Sequence, residues 1–237
     1  MSASSPRYVS CVDGEWSQRF QIMMWAEQIQ SVVALQALAC AVGSYALGCF
    51  ATGYYLVRIR TGRDIREIES GNIGARNVGR VLGKSGFIIT TLGDMAKGAL
   101  AVGATLYFTG SNLLAALSVL CVVIGHIWPV TLNWRGGKGV VTSGGAMVVF
   151  DYRIALVYGA VVALGFAFTR RMTLPGLAAY LVVPFVSHAL HHSPVETFFV
   201  TLLAALILFA HRENIVEQFP VLAFKRRPSD KPQHTKP

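Results

Sequence analysis

The chain has 237 residues, of which 53% are hydrophobic and 14% charged, with a mean hydropathy of +0.49. A soluble domain usually carries about 25% charged residues, so this composition excludes a disordered or fibrous chain and argues against an ordinary soluble domain. Lys and Arg total 21 against 12 Asp and Glu, a formal +9, an excess that suits either nucleic acid or the cytoplasmic loops of a membrane protein.

Residues 1–30 are mixed in polarity and contain Asp13, Glu15 and Glu27. They lack the basic start, short apolar run and small-residue cleavage site of a signal peptide. They read as an outer extension, part of it an interfacial helix around Trp16 to Trp25. Ser31 to Val57 then runs without one charge. About 20 apolar residues cross the hydrocarbon core, so this run is the first predicted span. Gly86 to Phe108 is the second, interrupted only by Asp94 and Lys97. Three residues apart inside a span, these two are read as a structural ion pair. Leu113 to Leu132 is the third span, with His126 near its inner end as a helix-packing hydrogen-bond donor. Gly139 to Thr169 is either one long helix or two short ones broken at Asp151-Tyr152-Arg153. Leu174 to Leu190 and Val195 to Ala210 are shorter apolar runs. Residues 216–237 form a basic tail, and Arg227 to Pro237 is expected to be disordered.

Charge decides the ambiguous stretch. Two helices between 139 and 169 put Asn133 to Lys138 and Arg170-Arg171 on the same side of the membrane; one helix puts them on opposite sides. Positive charge collects in the cytoplasm, so two helices are expected. The predicted fold is an all-α integral membrane protein of seven transmembrane helices over residues 31–215, N-terminus outside and C-terminus cytoplasmic. Most of the 21 basic residues then fall in cytoplasmic segments beside helices, and nucleic acid is a poor partner for charge so divided. Cys11, Cys40, Cys49 and Cys121 form neither a disulfide framework nor a CxxC pair. His188, His191 and His192 cluster at the outer side, where only Glu196 offers a carboxylate, so no metal site is assigned.

Three polar motifs fall at cytoplasmic ends of spans. Ser70 to Arg80 reads SGNIGARNVGR. Gly and Asn at this spacing allow successive N–H groups to line a concavity for an anion. Ser70 adds a hydroxyl and Arg80 paired donors; the competing reading is a solvated turn between two helices. The overlapping G-R-V-L-G-K-S of Gly79 to Ser85 is one residue too short for a nucleotide-binding P-loop and follows no strand. Trp134-Arg135-Gly136-Gly137-Lys138-Gly139 sets three glycines around one lysine just before a helix, another anion-friendly arrangement. In His211-Arg212-Glu213-Asn214, His211 and Asn214 share a helical face, and a histidine can orient or carry a proton near neutral pH. Two anion sites and a histidine on one membrane face suggest chemistry on phosphorylated substrates that have, or gain, a lipid tail.

These motifs, with D-M-A-K-G at 94–98, G-H-I-W-P-V at 125–130, G-G-K-G-V-V-T at 136–142 and H-R-E-N-I at 211–215, resemble in sequence and order the bacterial acyl-phosphate:glycerol-3-phosphate acyltransferase family. The resemblance covers about 43–215. It implies a seven-span inner-membrane enzyme, monomeric, with its active site facing the cytoplasm. Such an enzyme uses a long-chain acyl phosphate and glycerol 3-phosphate and makes lysophosphatidic acid. Carried over, it implies that Ser70, Arg80, Lys138, Thr173, His211 and Asn214 surround glycerol 3-phosphate, with His211, Asn214 and Ser70 closest to the chemistry. It implies that Gly71, Asn72, Gly74, Arg76 and Asn77 cradle the acyl phosphate. No metal or organic cofactor is implied. Either His211 or the substrate's own phosphate takes the hydroxyl proton.

The chain departs from the family at three places. Arg76 stands where Thr is usual, Gly48-Cys49-Phe50-Ala51 stands where the family has G-S-x-P, and Arg170-Arg171-Met172-Thr173 leaves Thr173 as the only hydroxyl in place of a serine motif. The rival readings are a transporter of phosphorylated solutes or lipids, which would need half-helices meeting at the midplane, and an acyltransferase with another donor or acceptor.

Overall fold

The structure, a computed structural model, describes residues 9–218, with side chains from 19 to 216. Its described residues form helices joined by short turns and by two longer loops, 62–74 and 128–139: α1 (Val9–Cys49), α2 (Thr52–Thr61), α3 (Ala75–Thr109), α4 (Asn112–Ile127), α5 (Val140–Phe150), α6 (Tyr152–Thr169), α7 (Thr173–Ala189), α8 (Pro194–Ala210) and α9 (Arg212–Gln218). Trp16 to Trp25, expected in an interfacial helix, belong to the N-terminal part of α1, which continues unbroken to Cys49. Arg227 to Pro237, expected to be disordered, lie outside the described residues.

Two short helices occupy 139–169, as the charge argument required. They part at Asp151, whose carboxylate caps α6 by accepting from the Arg153 N–H at 2.9 Å. The expected first span is divided. α1 stops at Cys49 and α2 starts at Thr52. Three consecutive carbonyls at the break are capped by side chains from elsewhere: Lys97 Nζ donates to Gly48 O (3.2 Å) and Phe50 O (2.7 Å), and Thr131 Oγ1 donates to Cys49 O (3.1 Å). A helix end left in hydrocarbon needs such partners, and none of these donors is adjacent in sequence. Helix α3 is also interrupted, at Gly83, whose φ is 72°.

Four stretches are long and apolar enough to cross a membrane: 19–61, 75–109, 112–132 and 152–169. Three shorter apolar helices, Val140–Phe150, Thr173–Ala189 and Pro194–Ala210, lie among them. The main core runs through α3 to α8 around Val102, Val122, Met147, Tyr180 and Leu203, all buried. Leu100, Leu156, Leu164 and Phe185 project outward at 63% exposure or more, as lipid-facing side chains do. Where α1 crosses α4 the backbones meet at Gly48 and Gly125. A Cβ on Gly48 would lie 2.2 Å from the Val122 carbonyl, and one on Gly125 2.2 Å from that of Tyr45. Small residues at such crossings let membrane helices approach closely.

A second, smaller cluster of Ala51, Val57, Ile65, Ile73, Val78 and Leu132 sits beneath the loop between α2 and α3. It fixes that loop against the bundle end that carries the polar motifs.

Candidate active site

The loop before α3 is shaped by its own asparagines. Asn77, buried, donates from Nδ2 to the carbonyls of Asn72 (2.9 Å) and Ile68 (3.1 Å), and its Oδ1 accepts from the Ser70 N–H (3.3 Å). Asn72 Oδ1 accepts from the Gly74 N–H at 2.8 Å. Both amides therefore act within the loop and bend Gly71 to Gly74 into the turn the sequence suggested. Ser70 lies exposed at its mouth.

Arg76 and Arg80 follow one turn apart on α3, both exposed. With Lys84, Gly79, Gly83 and Phe87 they line an open cleft of about 570 Å3. Arg76 Nη1 donates to Thr173 Oγ1 at 3.2 Å. Two of the positions at which the chain departs from the pattern it resembles thus meet.

The other two motifs converge. Lys138, in the turn before α5, donates from Nζ to Asn214 Oδ1 on α9. His211 caps the end of α8 and is 8% exposed. Its Nδ1 lies 2.8 Å from the Ile207 carbonyl; a carbonyl only accepts, so Nδ1 carries the proton and Nε2 keeps its lone pair. Burial pushes the His211 imidazole below its ordinary pKa. The Ile207 hydrogen bond works against that shift, and the nearby Lys138 charge reinforces it. His211 is therefore neutral at pH 7, with a lone pair on Nε2. The structure brings Lys138, His211 and Asn214 together, and Arg76 with Thr173. Among the described residues, no hydrogen bond joins Ser70 or Arg80 to His211 or Asn214.

Two features escaped sequence reasoning. Arg66, counted there only as a topology charge, grips Asp64 with paired bonds (2.6 Å for the shortest) and donates from Nη1 to the Leu132 carbonyl at 2.9 Å. The Arg66 hydrogen bonds hold the Asp64 carboxyl below its usual range. This link ties the loop before α3 to the segment leading to Lys138. The D-x-R spacing was legible, but a backbone carbonyl partner leaves no sequence signal. At the opposite end of the bundle, His192 Nε2 lies 2.9 Å from Asp151 Oδ2 and its Nδ1 3.4 Å from Glu196 Oε2. Glu196 is thus not the only carboxylate beside the outer histidines. Asp151, held by Arg153 and His192, is pulled down to about 2.

The family model for glycerol-3-phosphate acyltransferase matches residues 38–219. A glycerol-3-phosphate acyltransferase 1 of Desulfitobacterium hafniense (strain Y51) is 42% identical over 164 residues, which is 69% of this chain and 81% of that protein. One from Prochlorococcus marinus (strain NATL1A) is 37% identical over 162 residues, 67% of this chain and 82% of the relative. Crystal structures of PlsY, an integral membrane glycerol 3-phosphate acyltransferase, are similar in its glycerol 3-phosphate form (TM-score 0.72, 29% identity) and its lysophosphatidic acid form (TM-score 0.69, 28% identity). Each match covers 81% of this chain and 94% of that one. The all-helical fold, the apolar helices and the ordered motifs agree with these likenesses: this chain belongs to the glycerol-3-phosphate acyltransferase family and is an integral membrane protein.

Proposed function

We propose that this chain transfers a fatty acyl group from a long-chain acyl phosphate to the 1-hydroxyl of glycerol 3-phosphate, releasing lysophosphatidic acid and inorganic phosphate. The acyl transfer to glycerol 3-phosphate follows from family membership; the donor and the residue roles are our reading. The observation that carries the site is the meeting of Lys138 with Asn214 beside a neutral His211. It unites a glycine-flanked cation, an amide and a base from two distant motifs.

The donor is a mixed anhydride whose phosphate is already a good leaving group, so no enzyme nucleophile is needed. The work left is to orient two anions and stabilise charge. Lys138, Arg80 and Asn214, with the Ser70 and Thr173 hydroxyls, hold glycerol 3-phosphate. The Gly71–Gly74 turn and Arg76 receive the donor phosphate, while Asn72 and Asn77 keep that turn in shape. The 1-hydroxyl oxygen bonds to the acyl carbon, the bond from that carbon to the phosphate oxygen breaks, and the hydroxyl proton passes to His211 Nε2. The depressed basicity of His211 favours it over a charged imidazolium as acceptor.

The enzyme works as a monomer in the bacterial inner membrane, with seven spans within residues 31–215, the N-terminal extension outside, and both the site and the tail in the cytoplasm. Clustering of the basic motifs at one bundle end supports this orientation. The donor is tested with purified protein, labelled glycerol 3-phosphate, and either palmitoyl phosphate or palmitoyl-CoA. Lysophosphatidic acid is expected only from palmitoyl phosphate; product from the thioester alone overturns the donor assignment.

A further inference from the structure

Asp94, Lys97 and His126 lie in the bundle interior, at most 4% exposed, and the chemistry above uses none of them. Lys97 Nζ is the hub. It lies 3.1 Å from Asp94 Oδ1, an ion pair without the alignment of a hydrogen bond. It lies 2.8 Å from His126 Nδ1 and bonds the carbonyls of Gly48 and Phe50. An ammonium has three hydrogens, and two carbonyls and one imidazole nitrogen accept them. With Lys97 charged, His126 accepts at Nδ1, which leaves Nε2 to carry the ring proton.

That second nitrogen faces the glycine loop. A Cβ on Gly137 would come within 2.1 Å of His126 Nε2, and one on Gly136 within 2.1 Å of the His126 carbonyl. The Gly137 and Gly136 N–H groups donate back to the carbonyls of His126 (3.0 Å) and Ile127 (3.1 Å). The two glycines before Lys138 thus serve close packing on a histidine whose orientation Lys97 fixes. Lys138 stands one residue beyond this contact.

We infer that Asp94, Lys97 and His126 are positioning residues that set the place of Lys138, and so the affinity for glycerol 3-phosphate, through the His126 ring and Gly137. The inference rests on the proposed acceptor role of Lys138. Asp94 neutralises the buried ammonium, Lys97 fixes the ring and the α1–α2 break together, and the ring is the floor on which the loop rests. A merely structural ion cluster would lower the yield of folded enzyme and leave substrate affinities alone; a positioning cluster shifts one KM selectively.

The test compares His126→Ala, His126→Asn, Gly137→Ala and Lys138→Ala, each as folded, purified full-length protein, with palmitoyl phosphate as donor. His126→Ala is expected to raise KM for glycerol 3-phosphate at least tenfold and leave KM for palmitoyl phosphate within twofold. His126→Asn, whose side-chain oxygen accepts from Lys97, is expected within threefold of wild type. Gly137→Ala presses a methyl on the ring and is expected to raise the same KM, which keeps the test decisive if His126→Ala yields no folded protein. An unchanged KM in His126→Ala and Gly137→Ala beside an impaired Lys138→Ala overturns the inference alone. An unimpaired Lys138→Ala overturns it together with the site reading.

Discussion

At His211 the hydrogen bond from Nδ1 to the Ile207 carbonyl decides which nitrogen can act. With burial holding its pKa below the ordinary 6.5, the neutral ring is ready as a base at pH 7, and kcat/KM should fall as pH drops through the lowered value. The substrate's phosphate titrates near pH 6 and would give a similar acid limb. His211→Ala separates the two: a slow enzyme without that limb identifies the histidine, whereas an unchanged limb identifies the phosphate. The same shift has a stability sign. An unfolded histidine takes its proton near pH 6.5 and the folded one only at lower pH. The stabilisation is therefore complete above about pH 6.5 and is lost as pH falls through the folded value. Arg76 adds a charge to the cleft it shares with Arg80 and Lys84, so Arg76→Thr should raise KM for palmitoyl phosphate about fivefold, roughly 1 kcal/mol for an exposed contact. A lowered KM would mean that the arginine crowds the phosphate.

Between helices, close approach matters more than charge. Gly48→Ala puts a methyl against the Val122 carbonyl at the α1–α4 crossing. It should lower Tm in detergent by several degrees, since overpacking typically costs about 1–3 kcal/mol. Gly43 lies on the same helix with nothing within 4 Å of its would-be Cβ, so Gly43→Ala should leave Tm unchanged or raise it. Equal losses in both would contradict the crossing. At the other bundle end, Asp151 joins the α5–α6 turn to His192. Asp151→Asn should lower Tm near neutral pH without changing either KM. Because its carboxyl is pulled from 3.8 to about 2, the wild-type advantage should persist above about pH 4 and disappear as pH falls through 2. The helices themselves were largely legible in the sequence. Uncharged runs marked them, and Asp151 marked the break in 139–169. The break at Phe50 was not legible, because its carbonyls are capped by Lys97 and Thr131, far along the chain.

For the whole molecule, the proposed site residues stand out in the sequence as motifs because anion binding needs glycine, asparagine and cations at close spacing. Their surroundings do not: Arg66 reaches a backbone carbonyl, and His126 packs against the glycine loop without a side-chain signal in the sequence. In the proposed topology, which the lopsided charge of the sequence supports, all the proposed site residues lie on the cytoplasmic side. Reporter fusions after positions 62, 135 and 170 should therefore be active as cytoplasmic reporters, and fusions after 110 and 151 as exported ones; the reverse pattern would invert the topology. The central claim is that acyl transfer takes place where Lys138, Asn214 and His211 meet. It is tested most directly by the initial rate of lysophosphatidic acid formation from palmitoyl phosphate and labelled glycerol 3-phosphate, measured for purified wild type and Lys138→Ala at equal amounts of folded protein. The expected result is robust product from wild type and a loss of at least a hundredfold in kcat/KM, about 2.7 kcal/mol, in the variant. Equal rates in the two proteins would contradict it.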